Sequence, residues 1–408
     1  MKQNNTDKSR RAFSAISTLR GSIGEFRIVA ILLAGIFTYS CTQVPVVGDE
    51  QRTTSNDPIV VGGDGTSANA QVSTDAYKIE PKGPKPQWGP TIDPQMLAVI
   101  EKFQSYGIVP YPKLTADQAR EEPTFYNALA DLLREHNISP RPASLKINHR
   151  VIPSKTNQNL LVRIYTPKSG TGPFPVLVYY HGGGWVIANL DTYEPSASAL
   201  AEKTGAIVMS VAYRQAPEHK FPAAHEDAFA AYQWALDSAS VINGDPNMVA
   251  TAGESAGGNL AVAVALMAKQ RNMRLPKHIL SVYPIADGDV DSPTYREYVD
   301  AFFLNKALMK WFFNLYVPDW EKEKNPLIEL VDADLSGLPP TTIINAEIDP
   351  LRYEGQLLAE RLRAAGVPVE RKVYEGVTHE FFGMNALLEE AVAAQDFAAM
   401  RLKEGIRK

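Results

Sequence analysis

A chain of 408 residues, 45% of them hydrophobic, can bury one large core with extra elements or two smaller cores. Its formal net charge of −5 excludes the basic footprint that a nucleic-acid-binding protein carries. It has one cysteine and no Cys/His cluster at metal-ligand spacing, so no metal centre is expected.

The amino terminus is basic (Lys2, Lys8, Arg10, Arg11, Arg20, Arg27) and leads into an apolar run, Ile28 to Phe37. That run is too short to span a bilayer comfortably. A charged region, a short apolar core and small or polar residues before a cut site describe a secretory signal over residues 1–40. Thr38-Tyr39-Ser40-Cys41 is similar to a bacterial lipoprotein signal, in which the cysteine becomes the acylated first residue. Leu usually stands where Thr38 is, and a plain cleaved signal or a misassigned start codon is the alternative. Ser9-Arg10-Arg11-Ala12-Phe13 also resembles a twin-arginine export signal. The protein is therefore expected in the cell envelope, or else periplasmic or secreted. Residues 41–92 are rich in Thr, Ser, Gly, Asp, Asn and Pro without periodicity, the composition of a disordered tether. From Trp88 onward a loop packed on the domain is the alternative.

From Asp93 the pattern turns helical, with Met96, Val99, Ile100 and Phe103 on one face. A second helical stretch covers Thr115 to His136. Strands are then expected at Leu160–Tyr165, Val176–Tyr180, Ala206–Ala212, Met248–Ala252, Ile279–Tyr283, Thr341–Asn345 and Val369–Tyr374. Helices are expected near Thr192–Lys203, Ala224–Ser238, Asn259–Arg271, Leu351–Ala365 and Glu389–Lys403, with Gly366 ending the fourth of these. This alternation implies a mostly parallel sheet with helices on both faces. More than fifty residues separate Tyr283 from Thr341 and break the rhythm. They include Phe302-Phe303-Leu304 and Trp311-Phe312-Phe313-Asn314-Leu315-Tyr316. These aromatics read either as the insertion's own packing or as the inner lining of a lid over a pocket. Both readings can hold for different faces of one helix.

Two glycine-rich motifs sit where chemistry needs them. Gly253-Glu254-Ser255-Ala256-Gly257 joins a strand to a helix, which is the arrangement of a nucleophile elbow. His181-Gly182-Gly183-Gly184-Trp185 follows the strand Val176–Tyr180. Its backbone N–H groups at Gly183 and Gly184, with Ala256 N–H from the elbow, form the expected oxyanion hole. A serine nucleophile needs a base, and in this strand–turn–helix context the chain order is Ser, acid, His. Of the seven histidines, five precede Ser255, and His278 leaves no room for an acid before it. His379 remains. Asp349, at the end of the strand Thr341–Asn345, is the chosen acid. Glu347 and Asp287 are its competitors, and an N-cap role ahead of Pro350 is the alternative reading of Asp349 itself.

With these motifs the chain resembles the hormone-sensitive-lipase-like bacterial esterases of the α/β hydrolases, over about residues 93–405. The resemblance rests on residues 181–185, Tyr213-Arg214-Gln215-Ala216-Pro217-Glu218, Gly253 to Gly258, Asp349-Pro350-Leu351 and His379. It implies an α/β-hydrolase fold with a mostly parallel eight-stranded sheet. It also implies a helical cap drawn from about 93–140 and 286–330. The activity implied is hydrolysis of short- to medium-chain carboxylic esters through Ser255, His379 and Asp349, with no cofactor. Many members carry Asp where this chain has Glu254, a change that keeps the charge. The partners expected are a small-molecule ester, a membrane reached through a lipid anchor, and a second copy of the chain. An amidase or peptidase with the same triad, or a non-catalytic small-ligand binder on the same fold, are the alternative functions.

Overall fold

The computed structural model describes residues 78–140, 143–153, 159–322 and 324–407. The expected signal segment, Cys41 and most of the expected tether lie outside these residues. Residues 78–92 belong with the domain. Ile79 is buried, and its backbone exchanges two hydrogen bonds with the Gln95 side chain, both 2.9 Å. The N–H groups of Lys82 and Gly83 donate to the Glu101 carboxylate at 2.6 Å. Side chains of the first helix thus satisfy this segment's backbone, which a proline-rich composition does not reveal.

Three helices open the domain: α1 (Pro94–Gln104), α2 (Ala116–Glu121) and α3 (Phe125–Glu135). The expected helix over Thr115–His136 is two helices. Pro123 disfavours helical backbone at Glu122, which is extended (φ −66°, ψ 147°). Thr124 then caps α3 in a reciprocal pair with Asn127, as Thr115 caps α2 with Gln118.

The rest alternates: β1 (Leu145–Ile152), β2 (Leu160–Pro167), β3 (Phe174–Tyr180), α4 (Glu194–Thr204), β4 (Ile207–Val211), α5 (Ala223–Ser238), β5 (Gly244–Glu254), α6 (Ala256–Gln270) and β6 (Ile279–Val282). Then come α7 (Pro293–Glu297), α8 (Lys306–Tyr316), β7 (Thr341–Ile348), α9 (Arg352–Ala364), β8 (Val369–Thr378) and α10 (Glu389–Ile406). The eight strands lie in the order β1-β2-β4-β3-β5-β6-β7-β8, with β2 antiparallel to both neighbours and all pairs from β4 to β8 parallel. This is the α/β-hydrolase fold.

Successive residues of β3 face opposite layers, as strand geometry requires. Val176, Val178 and Tyr180 pack with α5, α6 and α9, while Leu177 and Tyr179 pack with α4 and α10. Helix α6 is buried on every side from Ala256 to Ala268, which its small apolar sequence allows. Strand β1 has no counterpart among the expected strands. Six of its eight residues are exposed, so no apolar alternation marks it.

α1–α3 and the 286–330 insertion meet through aromatic rings. Phe303 lies 5.7 Å from Phe103, 5.3 Å from Tyr111 and 5.5 Å from Phe125, centroid to centroid. Such edge-on pairs contribute about 1 kcal/mol each beyond their buried area. They hold these two segments together.

Candidate active site

The site is assembled at the carboxyl ends of four strands. β3 runs into His181, β5 into Ser255, β7 into Asp349 and β8 into His379. Because β7 pairs with β8, and β5 with β6 beside them, the acid and base loops emerge next to each other and near the serine.

Ser255 sits between β5 and α6 with φ 58° and ψ −119°, a backbone that non-glycine residues rarely adopt. Its N–H donates to Val282 O at 2.9 Å, and its carbonyl accepts from Asn259 N–H at 3.0 Å. The flanking glycines are required by close approach. A Cβ on Gly257 would lie 1.9 Å from Tyr180 O, and one on Gly253 would lie 2.1 Å from Gly257 O.

The side chains form one relay. Asp349, fully buried, accepts Leu351 N–H at Oδ1 (2.8 Å) and faces His379 Nδ1 with Oδ2 (2.8 Å). His379 Nε2 lies 2.9 Å from Ser255 Oγ. Nδ1–H therefore donates to the carboxylate, which leaves Nε2 free to accept the serine proton. Burial disfavours the charged imidazole. The Asp349 charge and hydrogen bond oppose it, aided by Glu380 and Glu254, and together they lift the His379 pKa above 6.5. Tyr283 packs its ring 4.4 Å from that of His379.

The competing carboxylates are engaged elsewhere. Glu347 accepts Gly376 N–H (2.6 Å) and the Thr91 hydroxyl (3.0 Å), and Asp287 accepts Asp289 N–H (3.2 Å). Asp349 is not the N-cap of α9, a position taken by Leu351. Its loop is instead pinned by Thr294 of α7, whose hydroxyl donates to Pro350 O at 2.6 Å.

The 181–185 loop wraps over the elbow. Gly183 (φ 93°) and Gly184 (φ 59°) take left-handed backbone, and a Cβ on either would lie 2.2 Å from Ile187 O or from the Phe312 ring. Among the described residues, no acceptor takes the N–H of Gly183, Gly184 or Ala256. The segment 213–218 holds this loop in place. Tyr213 donates to His181 O (2.8 Å), Gln215 donates to Ile187 O (2.7 Å), and Ala216 N–H donates to Trp185 O (2.9 Å). Arg214 forks onto the buried Asp227 at 2.8 Å through both nitrogens. From α2, Arg120 reaches Val186 O (2.9 Å), Ala216 O (2.7 Å) and Glu218 (2.8 Å). Its local pairing with Asp117 does not announce this role, since these three partners lie 66 to 98 residues away.

His181 and His225 are structural. Burial pushes both down to about 4, so they stay neutral at physiological pH. His181 stacks on Tyr213 at 4.3 Å. His225 Nδ1 accepts the Tyr316 hydroxyl at 2.8 Å, while Nε2 faces Asn259 Oδ1 at 3.1 Å.

Glu254 is buried, accepts the hydroxyls of Tyr179 and Tyr283, and has no cation beside it among the described residues. Burial raises its pKa to about 7 against those two hydrogen bonds, so the carboxyl is partly protonated near neutrality.

Above Ser255 and His379 lies a cleft of about 230 Å³. Phe103, Tyr111 and Phe125 line it from the amino-terminal helices, and Phe303, Leu304 and Phe312 from the insertion. Helix α8 divides its aromatics by role: Phe312 lines the cleft, while Phe313 stacks on Trp320 and Tyr316 on Trp185. Lining and packing both occur on one helix, by residues next to each other and one turn apart.

A family model described as alpha/beta hydrolase fold matches residues 177–383. The chain is 37% identical to a carboxylesterase, NlhH, of Mycobacterium tuberculosis over 268 residues, covering 64% of this chain and 83% of that one. It is 31% identical to an ethyl acetate hydrolase of Pseudomonas putida over 72% of this chain and 92% of that one. A solved thermostable esterase from Pseudomonas putida superposes with a TM-score of 0.71 at 30% identity, covering 78% of this chain and 98% of that one. A Pyrobaculum calidifontis esterase does so with a TM-score of 0.68 at 34% identity, over 77% and 98%.

Proposed function

We infer that this chain, which belongs to the hormone-sensitive-lipase-like esterase family of the α/β hydrolases, is a serine carboxylesterase acting on short- to medium-chain carboxylic esters. The observation that carries the mechanism is the relay of 2.8 and 2.9 Å contacts from Asp349 through His379 to Ser255, open to a cleft of about 230 Å³. Ser255 attacks the ester carbonyl as His379 takes its proton. Asp349 fixes the imidazole tautomer and stabilises the imidazolium. The negative oxygen of the tetrahedral intermediate lies against the N–H groups of Gly183, Gly184 and Ala256, each contributing about 3–4 kcal/mol to the transition state. His379 then protonates the departing alcohol and activates the water that releases the acid.

The pH dependence of p-nitrophenyl butyrate hydrolysis tests this reading. Only neutral His379 accepts the serine proton, so activity is lost as pH falls through the imidazole pKa. That pKa is raised, so the acid limb of kcat/KM should lie above 6.5. A profile flat from pH 5 to 8 would exclude a histidine base.

We also propose that the enzyme is exported and held at a membrane surface through acylated Cys41. The support is the sequence alone: a basic, then apolar, leader that ends at the chain's one cysteine. Mass spectrometry of the native amino terminus should find a lipid-modified Cys41. An unmodified terminus at that residue, or at any other, contradicts the anchor.

A further inference from the structure

The cleft has two unlike ends. At one, Phe103, Tyr111 and Phe303 separate it from a second apolar hollow. At the other, Arg120, Glu122, Thr124, Asn189 and Thr192 carry it out to a polar surface hollow. Glu380 belongs to the polar end. Its Oε1 accepts the hydroxyl of Tyr193, the residue after Thr192, at 2.7 Å. The same oxygen lies 4.0 Å from His379 Nε2, and the side chain is 17% exposed. Oε2 takes no hydrogen bond among the described residues.

Two features show that this carboxylate is placed at some cost. Glu380 has φ 75°, a left-handed backbone that favours glycine. Burial also raises its pKa, although His379 and Tyr193 favour the charge. Among the described residues it makes no hydrogen bond to the relay or the oxyanion loop, and its charge acts on the relay only by helping to raise the His379 pKa.

His379 Nε2 must come within hydrogen-bond reach of the leaving alcohol oxygen to protonate it. The alcohol portion of the ester therefore lies beside Glu380, and the acyl portion extends toward the apolar end. We propose that Glu380 is the alcohol-side specificity residue, accepting a hydrogen bond from a second hydroxyl of the alcohol, so that the preferred substrates are partial esters of diols or polyols. A hydroxyl on the carbon next to the ester-bearing one falls within reach of a carboxylate 4.0 Å from Nε2. The assignment rests on the esterase reading above.

The test is a selectivity ratio, kcat/KM for 2-hydroxyethyl butyrate over that for propyl butyrate, which has the same number of heavy atoms. A hydrogen bond to a charged acceptor predicts a ratio of about ten in the native enzyme. Glu380→Ala should bring it close to one. Glu380→Gln keeps the shape and a neutral acceptor, and should leave it at roughly two to four. Because both esters share one enzyme, a general disturbance of the site cancels in the ratio. A native ratio near one, or a ratio that both variants leave in place, overturns the assignment. Absence of turnover of either ester by the native enzyme takes the esterase reading down as well, so the two failures are distinguishable.

Discussion

Ser255→Ala should lower kcat for p-nitrophenyl butyrate by roughly 10⁵- to 10⁶-fold while leaving the fold intact. The size follows from the loss of the nucleophile: only the oxyanion donors and the binding cleft remain to favour the transition state. The intact fold follows from the contacts. Among the described residues the hydroxyl makes one hydrogen bond, to His379 Nε2 at 2.9 Å, and the residue is 5% exposed. Alanine bears the same strained backbone angles as serine, so the elbow pays no new penalty. Removing that one hydrogen bond costs about 1 kcal/mol or less, and thermal denaturation should show a small shift. Appreciable turnover by the folded variant would rule out Ser255 as the nucleophile.

Asp349→Asn should lower kcat by about 10⁴-fold. An amide nitrogen facing Nδ1 favours the other imidazole tautomer, with the proton on Nε2, where it cannot accept from serine. The variant also removes the charge that opposes burial in setting the His379 pKa, so its residual activity should show an acid limb moved to lower pH. Glu347→Gln and Asp287→Asn provide the contrast. Their carboxylates receive backbone N–H groups at 2.6 and 3.2 Å and do not touch His379, so each should retain most activity. A loss of several orders of magnitude in either, with Asp349→Asn active, would move the acid role away from Asp349.

The parts that were legible in sequence are those in which close approach restricts residue type. The elbow needs glycine where backbone passes 1.9 Å and 2.1 Å from any added Cβ, and the 181–185 loop needs it at two left-handed positions. Chain order then singles out His379. The acid was less legible because three carboxylates follow strand ends, and only the placement of β7 beside β8 sets Asp349 against the histidine. Strand β1 is not legible in sequence because an exposed edge strand has no buried alternation to display. The break between α2 and α3 was visible as Pro123, but the apolar periodicity on both sides of it reads as continuous. Glu380 and Tyr193 lie 187 residues apart, and nothing local in either segment announces their pairing. The tyrosine pair on Glu254 is likewise assembled by the sheet, from β3 and from the residue after β6.

The most direct measurement is titration of the native enzyme with an alkyl phosphonate ester, followed by peptide mapping of the adduct. Activity should fall in proportion to label and reach zero at one phosphonyl group per chain, with that group on Ser255. Inactivation with the label on another residue, or full activity in a chain labelled at Ser255, would contradict the account.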